Sequence, residues 1–142
     1  MIKTIEQWLT GKRLLIILTM AAAVWFSFTA VMTVLRYRLN YASAYDFGIF
    51  SQMYYYMDKG LSPLTTCERD GLLSHFAVHL SPVFYVLLPF YKLVPRPETL
   101  LVLQSLVVIS GMVPLCLLAR TFCFPRLQTL CFGLMYCFYP AF

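Results

Sequence analysis

The sequence predicts an all-α integral membrane protein, and three observations carry that prediction. Its 142 residues are 61% hydrophobic and 17% aromatic but only 12% charged. Soluble domains run nearer half apolar and a quarter charged, so a fold of this size would have apolar surface left over that lipid must cover. Two uncharged runs, 14–35 and 99–119, are long enough to cross a ~30 Å hydrocarbon core at ~1.5 Å per residue. Finally, Lys12, Arg13, Arg36, Arg38, Arg120 and Arg126 flank these runs and do not interrupt them. The formal net charge of +5 suits anionic headgroups or phosphate-bearing lipids. The basic residues are scattered between apolar runs, which argues against a nucleic-acid surface.

Residues 1–13 form a basic flank. The run that follows is too long for a signal peptide and lacks a small-residue cleavage site, so 14–35 reads as a retained transmembrane helix. Trp8 and Tyr37 fit interfacial anchors. Residues 36–71 then hold four of the six acids: Asp46, Asp58, Glu68 and Asp70. Within them Phe47, Phe50, Tyr54 and Met57 recur at helical spacing, predicting a short amphipathic helix over about 47–58 at the membrane surface. The Tyr54–Tyr56 run would seat it at headgroup level, and Gly60 is its stop. "LSPLTTCERDG" reads as an irregular loop. Residues 72–94 predict a juxtamembrane or re-entrant helix, with Pro89 interrupting its second half. "PRPE" is a turn. The span 99–119 carries Pro114 as an expected kink, 120–126 is a short loop, and 127–142 is a third apolar run. The chain stops inside or at the edge of that run, which reads as the N-terminal piece of a longer protein.

Orientation follows from Lys and Arg. If 72–94 does not cross, then Lys3, Lys12, Arg13, Arg120 and Arg126 share one side, the cytoplasm, and 36–98 lies outside. If it crosses, Arg120 and Arg126 move outside. The first arrangement places basic residues on both short cytoplasmic segments and is preferred. The five cysteines show no CxxC spacing, so neither a zinc site nor a redox pair is indicated.

Several side chains could carry chemistry. Asp46 is either a helix N-cap or a carboxylate working at the mouth of a membrane cavity. His75 and His79 are spaced i, i+4 and would share a helix face. With Glu68 or Asp70 they could hold a divalent metal; the alternative is interfacial histidines bonded to loop backbone. Arg69 is a phosphate partner or half of a surface ion pair with its acidic neighbours. No metal site is assigned, and a divalent cofactor is left open. No catalytic triad, P-loop or dinucleotide fingerprint is visible.

The order of "YDFGIF", "HFAVHLSP", "LLPFYKL" and "LLVLQSL" resembles the N-terminal region of the domain-of-unknown-function 2079 family, predicted bacterial multi-pass membrane proteins. The resemblance covers about 45–140. It implies a place among GT-C glycosyltransferases, which carry an Asp in the first extracytoplasmic loop near the sugar-transfer centre, followed by juxtamembrane helices. Asp46 takes that place. The resemblance thus implies the N-terminal portion of a bacterial plasma-membrane enzyme with about three transmembrane helices. It would transfer a sugar from a polyprenyl-phosphate donor to an extracytoplasmic acceptor. Asp46 would be catalytic, and Glu68, Arg69, Asp70, His75 and His79 would bind substrate. Family members are several times longer, so activity of this piece alone is not expected. Two other classes stand beside this one: a small non-catalytic subunit packing against a partner membrane protein, and a transporter fragment, suggested by Pro-broken helices.

Overall fold

The computed structural model describes residues 2–41 and 44–138. The chain is mostly helical: α1 (Ile2–Trp8), α2 (Gly11–Arg38), α3 (Ala44–Asp58), α4 (Val83–Leu93), α5 (Pro97–Ser110), α6 (Met112–Thr121) and α7 (Arg126–Cys137). Two short strands, β1 (Leu64–Thr65) and β2 (Leu73–Ser74), pair antiparallel, and a 3₁₀ turn covers His75–Ala77. Contacts divide the chain into two compact units, residues 1–32 with 104–142 and residues 33–103.

In the first unit, Leu18, Ile109, Met112 and Cys137 form the core. A Cβ on Gly133 would lie 2.5 Å from Leu18 Cδ2 and 3.2 Å from Met112 Sδ. Only glycine lets α7 come this close to α2, a device common between membrane helices. Glu6 caps α7 from a distance. Its Oε1 accepts the Arg126 N–H at 2.7 Å and its Oε2 accepts the Leu127 N–H at 3.0 Å. A carboxylate there also meets the positive end of the helix dipole.

The helices α2 and α5–α6 are long and apolar enough to cross a membrane. The second is broken at Gly111, in the turn before Pro114. Proline has no N–H to give the Ser110 carbonyl, so the ladder reorganises one turn earlier. There the Gly111 N–H donates to Val108 O at 3.1 Å, and the Tyr136 hydroxyl donates to the same carbonyl. The third apolar run is helical over the twelve residues of α7; its last four positions lie outside the described residues.

In the second unit, α3 packs on α4 through Met53, Tyr54, Met57 and Tyr91. Three expectations are corrected here. Residues 72–94 are not one helix, because 73–74 are used in the ladder with β1 and only 83–93 are α-helical, entered through Pro82. By the same pairing, "LSPLTTCERDG" is not wholly irregular. Pro89 does not end α4, which runs through it; the carbonyl it deprives of a donor belongs to the half-exposed Tyr85. Tyr54 is buried with its hydroxyl donating to Phe84 O at 3.1 Å, while Tyr55 is exposed. Burial pushes the Tyr54 phenol up to about 12.

Candidate functional site

The helix that begins the site is set by its two ends. It starts at Ala44, so Asp46 lies in its first turn and is not the residue that caps it. A carboxylate in the first turn still favours the helix dipole. At the other end Gly60 adopts φ 77°, its N–H donates to Met57 O, and the Leu61 N–H donates to Tyr56 O, each at 3.1 Å. This paired closure needs a left-handed residue, and glycine takes it without a Cβ penalty.

The returning chain is tied to α3 by one side chain. The Gln52 Oε1 accepts the Thr66 N–H at 2.8 Å and the buried Thr65 hydroxyl at 3.1 Å, while Nε2 donates to Thr66 Oγ1 at 3.0 Å. The ladder then brings the chain back to His75, whose N–H donates to Pro63 O at 2.8 Å. The Ser74 hydroxyl accepts the Phe76 N–H at 3.3 Å, opening the 3₁₀ turn.

His75 is the buried centre of this arrangement. Its Nδ1 lies 2.9 Å from Glu68 Oε2, and both side chains are largely shielded, 4% and 13% exposed. A neutral imidazole donating through Nδ1 presents Nε2 as an acceptor. Phe50 and Phe84 flank the ring at 5.7 and 5.8 Å, and the His79 ring lies 5.8 Å away. The two histidines are neighbours, but not on an α-helical face as their spacing suggested. The 3₁₀ turn and its following residues carry them, with His75 O accepting the N–H of both Val78 and His79 at 2.9 Å.

A cleft of about 600 Å³ opens beside them, lined by Asp46, Glu68, Arg69, His75 and His79 together with Tyr45, Ile49, Phe50 and Val78. Five of the six residues singled out from sequence thus meet in one concavity. Asp70 is exposed and does not line it. Arg69 is exposed and forms no ion pair among the described residues, since Glu68 is engaged by His75. Among the described residues no group of three His, Cys, Asp or Glu side chains is placed to hold a metal ion. Sequence reasoning missed Gln52 and Tyr45. A glutamine on an aromatic helix gave no sign that it would face a Thr-Thr pair fourteen positions later.

A family model described as a predicted membrane protein, DUF2079, matches residues 35–142. The chain belongs to the DUF2079 family. The matched region of this DUF2079 chain contains the whole cleft as well as α4 to α7. No curated protein and no solved structure matches the chain.

Proposed function

We propose that this DUF2079 chain supplies the first extracytoplasmic loop and flanking membrane helices of a GT-C-like glycosyltransferase in the bacterial plasma membrane. In this reading α2, α5–α6 and the 127–142 run cross the membrane, and the 36–98 loop lies outside. The donor is a polyprenyl-phosphate-linked sugar. Asp46 takes the proton of the acceptor hydroxyl as the new glycosidic bond forms and the sugar C1–O bond to phosphate breaks. The polyprenyl phosphate leaves with the bonding pair, its charge met by Arg69. His75, oriented by Glu68, and His79 contact the sugar, and Asp70 contributes to substrate binding from outside the cleft lining.

The observation that carries this reading is the cleft itself. One carboxylate free of partners among the described residues, one unpaired guanidinium and two imidazoles share a single concavity. The contact of Glu6 and Leu9 with Arg126 supports the orientation, because it places the N-terminus and the 120–126 loop at one end of the first unit. In membranes carrying the full-length protein and a labelled polyprenyl-phosphate hexose, Asp46→Asn is expected to abolish transfer while insertion is unchanged. Wild-type rates from that variant would reject the catalytic role.

A further inference from the structure

A second cavity, of about 730 Å³, lies wholly within the 1–32 and 104–142 unit. It is a trough with two long walls. One is α2 from Gly11 to Ala22, and the other runs from Ile109 to Arg120 along α5–α6. Eleven steps of ~1.5 Å make each wall about 16 Å long, close to half of a ~30 Å hydrocarbon core, the depth of a single leaflet. Leu14, Leu18, Val113 and Leu117 make the walls apolar. The floor is firm because Leu18 is buried against Gly133.

Charge is confined to one end, where Arg120 and Arg126 line the trough. Arg126 Nη1 donates to Leu9 O at 3.3 Å, so this is the end at which α2 begins and at which Lys12 and Arg13 follow. Arg120 is exposed, and its guanidinium makes no hydrogen bond or ion pair among the described residues. The nearby acid, Glu6, spends both oxygens on the backbone N–H groups of α7 and forms no ion pair with either guanidinium. A trough one leaflet deep, apolar along its length and cationic at its mouth, is complementary to one molecule: a lipid with an anionic headgroup. The walls are candidate membrane spans with only 11% of each apolar window buried, so acyl chains reach the trough directly from the bilayer.

We propose that this trough binds one acyl chain of an anionic phospholipid, with the lipid phosphate held by Arg120 and Arg126. The site is in a different unit from the cleft and does not depend on the transferase reading. The full chain, purified in detergent, is incubated with phosphatidylglycerol, with phosphatidylcholine of the same acyl chains, or with inorganic phosphate, and bound species are counted by native mass spectrometry. Phosphatidylglycerol is expected to be retained about tenfold more tightly than phosphatidylcholine, because both carry the phosphate but only the choline headgroup sets a cation against the Arg120 and Arg126 guanidiniums. Arg120→Gln should erase that preference. Val113→Trp, at a position 61% exposed, should fill the trough and release both lipids. Equal retention of the two lipids by wild type would overturn the proposal. So would displacement by inorganic phosphate alone, which would mark a simple anion contact. Absence of any bound lipid would also overturn it.

Discussion

Gln52→Leu is the sharpest probe of how the cleft is held. Leucine keeps the volume of the side chain and removes its amide. Four contacts vanish together: the 2.8 Å bond from the Thr66 N–H, the 3.1 Å bond from the Thr65 hydroxyl, the contact with Thr66 Oγ1, and the 3.5 Å contact from Cys67 Sγ. Thr66 is exposed, so water replaces its lost partner and the net loss is about 1 kcal/mol. Thr65 is 2% exposed, and a buried hydroxyl left without an acceptor costs about 1–3 kcal/mol. The local opening energy of the 64–68 segment should therefore fall by about 2–4 kcal/mol. Every ~1.4 kcal/mol is tenfold in an equilibrium constant, so amide exchange of that segment should accelerate by about thirty- to several-hundred-fold. The readout is hydrogen–deuterium exchange of the detergent-solubilised chain. Peptides from α7 serve as the internal control, because they belong to the other compact unit. Unchanged exchange over 64–68 would refute the view that Gln52 anchors the loop. Equal acceleration in α7 would show global destabilisation instead, and would refute the local argument just as firmly.

Two further outcomes follow from packing and titration. Gly133→Val places a Cβ 2.5 Å from Leu18 Cδ2, so thermal unfolding should shift by the equivalent of about 1–3 kcal/mol, and Leu18→Ala should restore part of the loss in the double variant; additive losses would show that the two do not meet. The Tyr54 phenol, raised by burial to about 12, holds its proton in the folded state over a range where the unfolded chain releases it. Its contribution is complete below pH 10 and is lost as pH rises from 10 to 12, by up to about 3 kcal/mol at ~1.36 kcal/mol per unit. Denaturant unfolding of Tyr54→Phe should lack that alkaline decline, and an identical slope in both proteins would reject the assignment.

Some features of the chain are local and were legible without a fold. The long apolar runs, their basic flanks and the turn at Gly60 depend on hydrophobicity, charge and backbone sterics at neighbouring residues. Their helices therefore match the sequence pattern closely. The family resemblance likewise rests on short ordered motifs, and the family match over 35–142 agrees with it. The break at Gly111 shows an intermediate case: Pro114 signalled a disturbance, but hydrogen-bond arithmetic places it a turn earlier.

The segment 72–94 marks where local reading fails. Its composition permits a helix throughout, yet 73–74 satisfy their backbone groups with Leu64 and Thr65, and His75 satisfies its own with Pro63. Those partners lie about ten residues away and carry no periodic signal. The same non-local pairing swings Glu68 onto His75 and leaves Arg69 unpaired, whereas the sequence neighbourhood suggested an ion pair between adjacent residues. It also carries His75 on a 3₁₀ turn and His79 just after it, not on one α-helical face. Residue types determined which side chains could act; hydrogen bonds closed over the length of a loop decided which of them stand together.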